Sequence, residues 1–372
     1  MKINIVCLDN PYPPNYGGAI DIFFRIKQLY NQGCKIYLYC FYSDREPRQE
    51  LNYFCEKVYY YKRKSFLQTV QNILTPFIVS SRKSNKLLSK LLSNEYPIFF
   101  DGLQSTFISS RKELKNRKKY LRIHNIESIY MKKLSTSEKE LVRKVGLKID
   151  SLRYNYFERR LNHFDKIFTI SLNDQNFYKN YHKKVYLLSV FHGHQKVKSK
   201  EGFGDYIFYH GNFDVSENLK AAIFLIKNVF NQIHIPVKIA GRNVLNKLKK
   251  YTNNTNIELV DSPSVIKMQE LIINAQINIL PTFQATGFKL KLINSLFLGR
   301  HCIVNNEMIA SSNRLQTLCI LSNSSNEFIK NIKKLFSIPF TKDEVNKRKI
   351  LLMKYFNDID KSKAFIKQIS NE

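Results

Sequence analysis

The sequence predicts an α/β protein with two doubly wound domains, each a parallel β-sheet covered by helices on both faces. Three observations support this fold class. Short β-branched runs alternate with segments of helical periodicity in the first half of the chain, and after a polar, Gly- and Lys-rich stretch at 192–205 the alternation begins again. The length of 372 residues also suits two domains, at about 100–200 residues each.

The first domain, predicted at 1–195, begins with a βαβ unit. An apolar strand at 2–8 is followed by the Pro- and Gly-rich loop 10–18, and apolar side chains at helical spacing predict a helix that ends at Gly33. A right-handed crossover then makes the next strand, 34–42, parallel to the first. Further strands are expected at 55–61, 97–101, 119–122 and 166–171, with a long helical stretch at 135–164.

The second domain, predicted at 206–345, repeats the alternation of strands and helices. Its strands are expected at 206–210, 237–240, 257–260, 277–280 and 302–304, and its helices at 218–230 and 244–251. A helix is predicted in the tail at 342–367, and we assign 346–372 to a C-terminal helix that packs back on the first domain. Two such domains in tandem are expected to face each other across a cleft, bordered by the carboxyl ends of both sheets, where ligands of these folds bind.

A formal charge of +30, from 60 Lys and Arg against 30 Asp and Glu, indicates an anionic partner without choosing one. Nucleic acid, an anionic membrane surface and phosphorylated small molecules all fit, and the drift of an AT-rich genome is an alternative source of part of the charge. The six cysteines are scattered without CxxC spacing, which argues against zinc and disulfide scaffolds and for reduced thiols in the cytoplasm. We expect no signal peptide and no membrane-spanning segment.

Two polar segments at strand ends of the first domain are candidates for chemistry. The Gly17-Gly18 pair lies between the first strand and the first helix, where free backbone amides attract a phosphate, and a plain turn is the alternative. The segment 121–127 ends a strand with Arg, His, Asn and Glu close together. His124 is the candidate catalytic residue, as a donor to an oxyanion or as a proton shuttle, and a His satisfied by local backbone is the alternative.

Polar residues also follow the first two strands of the second domain. Gly211 and Asn212 come after the first strand and offer backbone amides to a ligand. Arg242 comes after the second strand, with a guanidinium group that suits a bidentate phosphate contact. A surface salt bridge is the alternative interpretation of Arg242.

The most informative segment is 280–299. A strand ends before Pro281, and a loop of small residues then enters a helix that carries Lys289 and Lys291. Amides at a helix start, together with two lysines, form a plausible cradle for a diphosphate, although a solvated pair of lysines is the alternative. Asn294 lies near the same helix face and both donates and accepts hydrogen bonds, as ribose hydroxyls require.

Five segments, in order along nearly the whole chain, resemble the retaining GT-B glycosyltransferases that use nucleotide-sugar donors, of the family 4 or group 1 type. The family's opening βαβ unit is similar to PYPPNYGGAIDIFFRIKQLYNQGCKIYLY, and its HN(I/V)E element to RIHNIES. A third passage is similar to YFERRLNHFDKIFTIS, in which Glu158, Asp165 and Ser171 match. The start of the family's donor domain is similar to YHGNFDVSENLKAA. Its donor loop is similar to LPTFQATGFKLKLINSLFLGRHCIVN, in a bacterial variant with a G-x-K-L-K pattern.

The resemblance implies two Rossmann-like domains in a GT-B arrangement and transfer of a sugar from a nucleotide diphosphate sugar to an acceptor hydroxyl. It implies retention of the anomeric configuration, no metal, and no cofactor beyond the nucleotide sugar as co-substrate. It puts His124 and the Gly17-Gly18 loop near the sugar and the acceptor. The donor-binding residues that it implies are Gly211, Asn212, Arg242, Thr286, Gly287, Lys289, Lys291 and Asn294.

One feature departs from the family pattern. Many relatives carry Glu-x7-Glu across the donor loop and helix, and the matching positions here are Thr286 and Asn294. Asn294 still offers hydrogen bonds to a ribose, but Thr286 supplies no charge to an oxocarbenium-like centre. A GT-B-fold epimerase or an inactive homologue is therefore an alternative.

The expected partners are a nucleotide-sugar donor and a glycan or lipid-linked acceptor, in the synthesis of a cell-surface glycan. A basic nucleic-acid-binding protein is the rival, but Tyr and Phe fall within strand and helix patterns and no RRM, KH or zinc signature is present, so we expect no nucleic acid partner. Basic clusters at 61–64, 111–119 and 132–133 favour a cytoplasmic enzyme that is peripheral on the inner face of the plasma membrane.

Overall fold

The computed structural model describes residues 1–65, 67–69, 74–252, 256–283, 287–310 and 313–370. The chain divides into two compact units. Unit 1 comprises Met1–Phe191, Thr286–Phe288 and Asp358–Glu372, and unit 2 comprises His192–Ala285 and Lys289–Asn357. Each unit contains a parallel sheet whose strands alternate with helices, so the predicted doubly wound α/β class is confirmed.

The sheet of unit 1 has its switch point between β1 and β4. Its strands are β1 (Lys2–Cys7), β2 (Lys35–Tyr42), β3 (Lys57–Lys62), β4 (Ile98–Asp101), β5 (Lys119–Ile123), β6 (Lys166–Thr169) and β7 (Val185–Leu187). Its helices are α1 (Gly17–Asn31), α2 (Phe77–Ser80), α3 (Asn85–Leu92), α4 (Glu127–Ser137), α5 (Leu141–Phe157) and α6 (Leu172–Lys179). The strand order is β3-β2-β1-β4-β5-β6-β7, and all of these pairings are parallel. Ligands of open α/β sheets bind at such a switch point, beyond the carboxyl ends of the strands.

Unit 2 repeats this plan with a second parallel sheet. Its strands are β8 (Tyr206–His210), β9 (Val237–Gly241), β10 (Ile257–Asp261), β11 (Ala275–Leu280), β12 (His301–Val304) and β13 (Ile320–Leu321). Its helices are α7 (Ser216–Asn228), α8 (Val244–Leu248), α9 (Val265–Asn274), α10 (Leu290–Leu298), α11 (Asn306–Ile309), α12 (Ser325–Phe336) and α13 (Lys342–Phe356). The order is β10-β9-β8-β11-β12-β13, which puts the switch point of this sheet between β8 and β11.

The prediction of one helical stretch at 135–164 is wrong, because the backbone breaks between α4 and α5. Glu138 and Glu140 have extended backbone angles, and the Glu138 carboxylate accepts hydrogen bonds from the amides of Lys139 and Glu140. A carboxylate at this position favours the start of a new helix, since it satisfies amides near the positive end of the helix dipole. In the described part of the chain, neither α5 nor any other helix is long and apolar enough to cross a bilayer.

The prediction of one tail helix is also wrong, because Asn357 has an extended backbone and separates α13 from a last helix, α14 (Asp358–Ser370). Helix α14 belongs to unit 1, where it covers the sheet. The Phe365 ring lies 5.0 Å from the Phe99 ring and 5.1 Å from the Phe168 ring, both of which are fully buried. The first unit therefore completes its core with the end of the chain.

Replacing Phe365 by Ala should destabilise unit 1 by about 3–5 kcal/mol, because it removes a fully buried ring that packs on the rings of Phe99 and Phe168. Urea unfolding followed by tyrosine fluorescence measures this change. Ile350→Ala on α13 is the control, since Ile350 is largely exposed and its loss should change stability by less than about 0.5 kcal/mol. Equal effects of the two substitutions would contradict the docking of α14.

Candidate functional site

A buried cluster of charged side chains lies at the switch point of unit 1. Asp21 and Arg25 come from α1, Asp101 ends β4, and Arg122 lies near the end of β5. Arg25 pairs with Asp101, and its other terminal nitrogen lies 3.5 Å from Asp21 Oδ2. Arg122 makes a two-pronged contact with Asp21, at 3.1 Å from Nε and 3.0 Å from a terminal nitrogen. All four side chains are essentially inaccessible, so the charges must be compensated within the cluster.

His124 joins this cluster as its most accessible member. Its Nε2 donates to Asp101 Oδ1 at 2.7 Å, and its Nδ1 lies 3.9 Å from Asp21 Oδ2. Burial would raise the pKa of Asp101, but the Arg25 charge and the His124 hydrogen bond hold it well below its usual value. A carboxylate that is ionised at neutral pH therefore fixes the ring and leaves Nδ1 as its second donor or acceptor. The alternative of a His satisfied by local backbone does not describe this arrangement.

The loop after His124 is held by a second buried group, the Glu158 carboxylate at the end of α5. Glu158 accepts hydrogen bonds from the Glu127 amide at 2.6 Å, the Ser128 hydroxyl at 2.5 Å and the Tyr178 hydroxyl at 2.7 Å. These bonds satisfy amides at the start of α4, where the helix dipole also favours a negative charge. Burial raises the pKa of Glu158 despite these donors. This carboxylate thereby sets the path of the chain between His124 and α4.

Gly17 and Gly18 form the first turn of α1 and follow a loop that is tied down by Arg45. The Arg45 guanidinium donates to the Asn10 carbonyl at 2.7 Å and to Asn15 Oδ1 at 2.9 Å. The residue before the helix, Tyr16, provides no side-chain cap to α1. The start of α1 therefore has no cap from Tyr16, and an anion at this helix start stays a prediction.

In unit 2, two glycines allow the ends of β8 and β9 to approach closely. A Cβ on Gly241, whose φ is 148°, would lie 1.7 Å from the Gly211 carbonyl oxygen, so a side chain does not fit there. A Cβ on Gly211 would lie 2.9 Å from Asn218 Cγ on α7. The Asn218 amide donates to the Asn212 carbonyl at 3.0 Å and fixes the turn after β8. The Gly211 backbone amide donates to the Ala240 carbonyl at 3.1 Å, so the prediction that this amide is offered to a ligand is wrong.

The two predicted lysines lie beside this turn. Lys291 Nζ donates to Asn218 Oδ1 at 3.1 Å and lies 5.0 Å from the centre of the Tyr209 ring. Burial lowers the pKa of Lys291 to about 8. Lys289 Nζ lies 2.9 Å from Glu217 Oε1, and the same carboxylate oxygen accepts the Thr282 hydroxyl. Unit 2 therefore brings two amines, a carboxylate and a hydroxyl together at the ends of β8 and β11.

The other predicted donor residues have different surroundings. Arg242 has a side chain that is 72% exposed and lies 3.2 Å from Asp214 Oδ2, which is the surface salt bridge that the sequence left open. Thr286 lies outside the described residues. Gly287 has a φ of 68° and groups with unit 1, where a Cβ would come within 2.5 Å of Asn125 Oδ1.

Asn294 has a partner that the sequence analysis did not predict. Its Oδ1 accepts a hydrogen bond from His194 Nε2 at 2.9 Å, and the His194 ring stacks on Phe297 at 5.1 Å. His192, two residues earlier, donates to the Phe356 carbonyl at 2.6 Å and so satisfies the end of α13. The polar stretch at 192–205 is therefore packed on α10 through its first residues.

Sequence reasoning missed three residues of the unit 2 cluster or its edge: Glu217, His210 and His194. Burial and the nearby Lys291 charge lower the pKa of His210 to about 3, and no hydrogen-bond partner is within reach of its Nε2 in the described chain. Glu217 stands in the first turn of α7 three residues after Asp214, a position that by sequence alone is explained by the helix dipole. Only the fold brings it to Lys289.

No group of three or more His, Cys, Asp or Glu residues with metal-binding geometry is found in the described ranges. No protein-family model matches the sequence. A curated relative from Klebsiella pneumoniae, an uncharacterized 44.6 kDa protein in the cps region, is 28% identical over 316 residues, which is 79% of this chain and 80% of the relative.

Solved structures identify the fold. TarM matches with a TM-score of 0.68 at 11% identity, over 100% of this chain and 99% of that one. WaaG, a glycosyltransferase involved in lipopolysaccharide biosynthesis, matches with a TM-score of 0.65 at 11% identity, over 99% of this chain and 100% of WaaG. A trehalose-6-phosphate structure from E. coli, bound with UDP-2-fluoro glucose, matches with a TM-score of 0.63 at 10% identity, over 100% of this chain and 99% of that one. The chain has the two-domain Rossmann-like GT-B fold, which the sequence resemblance implied.

Replacing Asp101 by Asn keeps the shape of the side chain but leaves Arg25 and Arg122 against the carboxylate of Asp21. The free energy of unfolding at pH 7 should fall by about 3–5 kcal/mol, as for other broken buried ion pairs. Because the folded-state pKa of Asp101 is lowered, its stabilisation is present above the ordinary Asp value of about 4 and is lost as the pH falls below it.

Urea unfolding at several pH values measures both effects, with the exposed Asp44→Asn as the matched control. The difference in the free energy of unfolding between the wild-type protein and the Asp101 variant should become smaller below about pH 4. If this difference in unfolding free energy were the same at all pH values, or were absent at neutral pH, the stabilising role of the Asp101 charge would be contradicted.

Proposed function

We propose that this protein is a glycosyltransferase that moves a sugar from a nucleoside diphosphate sugar to an acceptor hydroxyl. The observation that carries the proposal is the unit 2 cluster, in which the Lys289 and Lys291 amines lie at the switch point of a GT-B-type sheet. The Lys291 amine and the Lys289 amine, which shares the Glu217 carboxylate, offer charge-assisted contacts to a diphosphate. The solved relatives support the same class, since one is a glycosyltransferase and another was determined with a UDP-sugar.

In this proposal the lysines act mainly on the leaving group. When the bond between the anomeric carbon and the phosphate oxygen breaks, negative charge develops on the diphosphate, and the Lys289 and Lys291 ammonium groups stabilise it without requiring a metal. Glu217 serves as a positioning residue, because its carboxylate holds Lys289 Nζ in place. We assign Asn212, Gly287 and Asn294 to the rest of the donor-binding set, with Asn294 as the proposed partner of the ribose and Gly211 as the residue that allows the close approach of β8 and β9.

The proposal assigns His124 and the Gly17-Gly18 loop to the sugar and the acceptor. Asp101 fixes the His124 ring through Nε2, so Nδ1 is the atom that meets a substrate hydroxyl. Retention of the anomeric configuration rests on the family resemblance alone and belongs to the proposal. The Klebsiella relative in a cps region supports a role in capsule or another cell-surface glycan, with a glycan or lipid-linked acceptor at the cytoplasmic face of the membrane.

A nucleotide-sugar epimerase or an inactive homologue is the second candidate, because an Asn stands at the second position of the family's Glu pair and is bonded to His194. Thermal denaturation in the presence of UDP-, GDP- and dTDP-sugars tests the class, since a ligand that binds only the native state raises the melting temperature. Transfer of label to a glycan acceptor supports the glycosyltransferase. Conversion of the free nucleotide sugar to its epimer, or nucleic acid binding without nucleotide binding, would contradict it.

Lys291→Ala should weaken the binding of the nucleoside diphosphate by about tenfold to a hundredfold, because a charge-assisted contact contributes about 1.5–3 kcal/mol. Isothermal titration with UDP, GDP and dTDP shows which nucleoside diphosphate binds and measures the affinity of each variant for it. Lys291→Arg should retain most of it, and Lys267→Ala, an exposed lysine on α9, is the control that should change nothing. Unchanged affinity in Lys291→Ala would remove Lys291 from the donor site.

A further inference from the structure

Helix α5 carries an apolar stripe that no other part of unit 1 covers among the described residues. The stripe consists of Leu141, Val142, Val145, Ile149, Leu152 and Tyr156, and all six are exposed large hydrophobic side chains. Val142, Leu141 and Leu152 are 79%, 73% and 70% exposed. At 100° per residue the six side chains fall within an arc of about 100°, so they form one continuous face of the helix.

The opposite face of α5 is firmly held, so the stripe is presented by an ordered helix. Tyr154 is fully buried in the core of unit 1, and Asp150 Oδ1 accepts the Phe77 amide at 3.1 Å. The Ser151 hydroxyl donates to the Ser128 carbonyl at 2.8 Å, which ties α5 to α4. Six exposed apolar residues on a helix that is already docked point to a binding surface, because apolar residues that are exposed by chance would not all lie on one face of the helix.

Basic residues border the stripe. Helical spacing places Lys144 and Lys148 along one edge, and the Arg160 guanidinium lies 3.6 Å from the centre of the Tyr156 ring at the end of the helix. Arg153, on the other edge, is paired with Asp150 Oδ1 at 3.1 Å. The acidic residues nearest the start of the stripe are Glu138 and Glu140. The Glu138 carboxylate is already paired with Arg143 at 3.1 Å.

We propose that this stripe docks unit 1 on an anionic lipid bilayer. The apolar face enters the boundary between head groups and acyl chains, while Lys144, Lys148 and Arg160 contact anionic head groups. A second copy of the chain fits poorly, since two such faces would bring their basic edges together in a protein of net charge +30. The sequence suggested a membrane partner from basic clusters in other segments of the chain. The stripe adds the apolar surface that can insert into a bilayer, which basic clusters do not provide.

Co-sedimentation of the full chain with vesicles tests the proposal, using phosphatidylcholine alone and phosphatidylcholine with about one third phosphatidylglycerol. The wild-type protein should bind the anionic vesicles, and the double variant Val142→Asp and Leu152→Asp should partition at least about tenfold less. The control is Val265→Asp with Ile266→Asp on α9, two residues that are 61% and 73% exposed and should not affect binding. Lys144→Ala with Lys148→Ala should reduce binding to the anionic vesicles only.

The outcomes separate the possible occupants. Lys144 is partly exposed and the other substituted positions are exposed, so the melting temperatures should match that of the wild type, and light scattering should report the same mass for each. Equal binding of the wild type and the α5 variant would overturn the proposal. A dimer that the α5 variant converts to a monomer would assign the stripe to a second copy instead. Because vesicle binding is read without nucleotide or acceptor, failure here leaves the proposed glycosyl transfer untouched.

Discussion

The buried pairing of Arg25 with Asp101 and of Arg122 with Asp21 is the interaction on which the first unit's site depends. It joins α1 to the ends of β4 and β5 at the sheet's switch point. Removing these charges from water is costly unless each is matched, so the geometry of the cluster is tightly constrained. Arg122 also donates to the Leu188 carbonyl at 2.8 Å, and Asp21 accepts the Phe191 amide at 2.6 Å, which extends the constraint to the end of the segment 1–191. His124 takes its orientation from this cluster.

The second unit reaches a comparable result by steric fit and local charge balance. The absence of a side chain at 211 and 241 lets two strand ends and α7 come together, and the neighbouring amines of Lys289 and Lys291 are then placed beside Asn218 and Glu217. A partly buried lysine with a lowered pKa favours the binding of an anion, because the anion stabilises the charged form of the amine. The site therefore couples ligand binding to the charge of one side chain.

The sequence predicted the fold class and the strand-end segments well, because both depend on periodicity and on glycine placement within short windows. It failed where the outcome depends on a few backbone angles, as in the break at Glu138–Glu140 and the break at Asn357. Long-range partners were also out of reach. The contacts of Asp21 with Arg122 and of Glu217 with Lys289 join residues that are 101 and 72 positions apart and that only a folded sheet brings together.

In the proposed function Lys291 binds a diphosphate, and the pH dependence of that binding is the most direct test of this role. Above about pH 7 the diphosphate keeps a constant charge, whereas the Lys291 amine of the free protein loses its proton as the pH rises through about 8. Isothermal titration of the nucleoside diphosphate between about pH 7 and 9 should therefore show an affinity that falls with rising pH, and a flatter profile in Lys291→Arg. An affinity that stays constant or rises over this range in the wild-type protein would contradict the account.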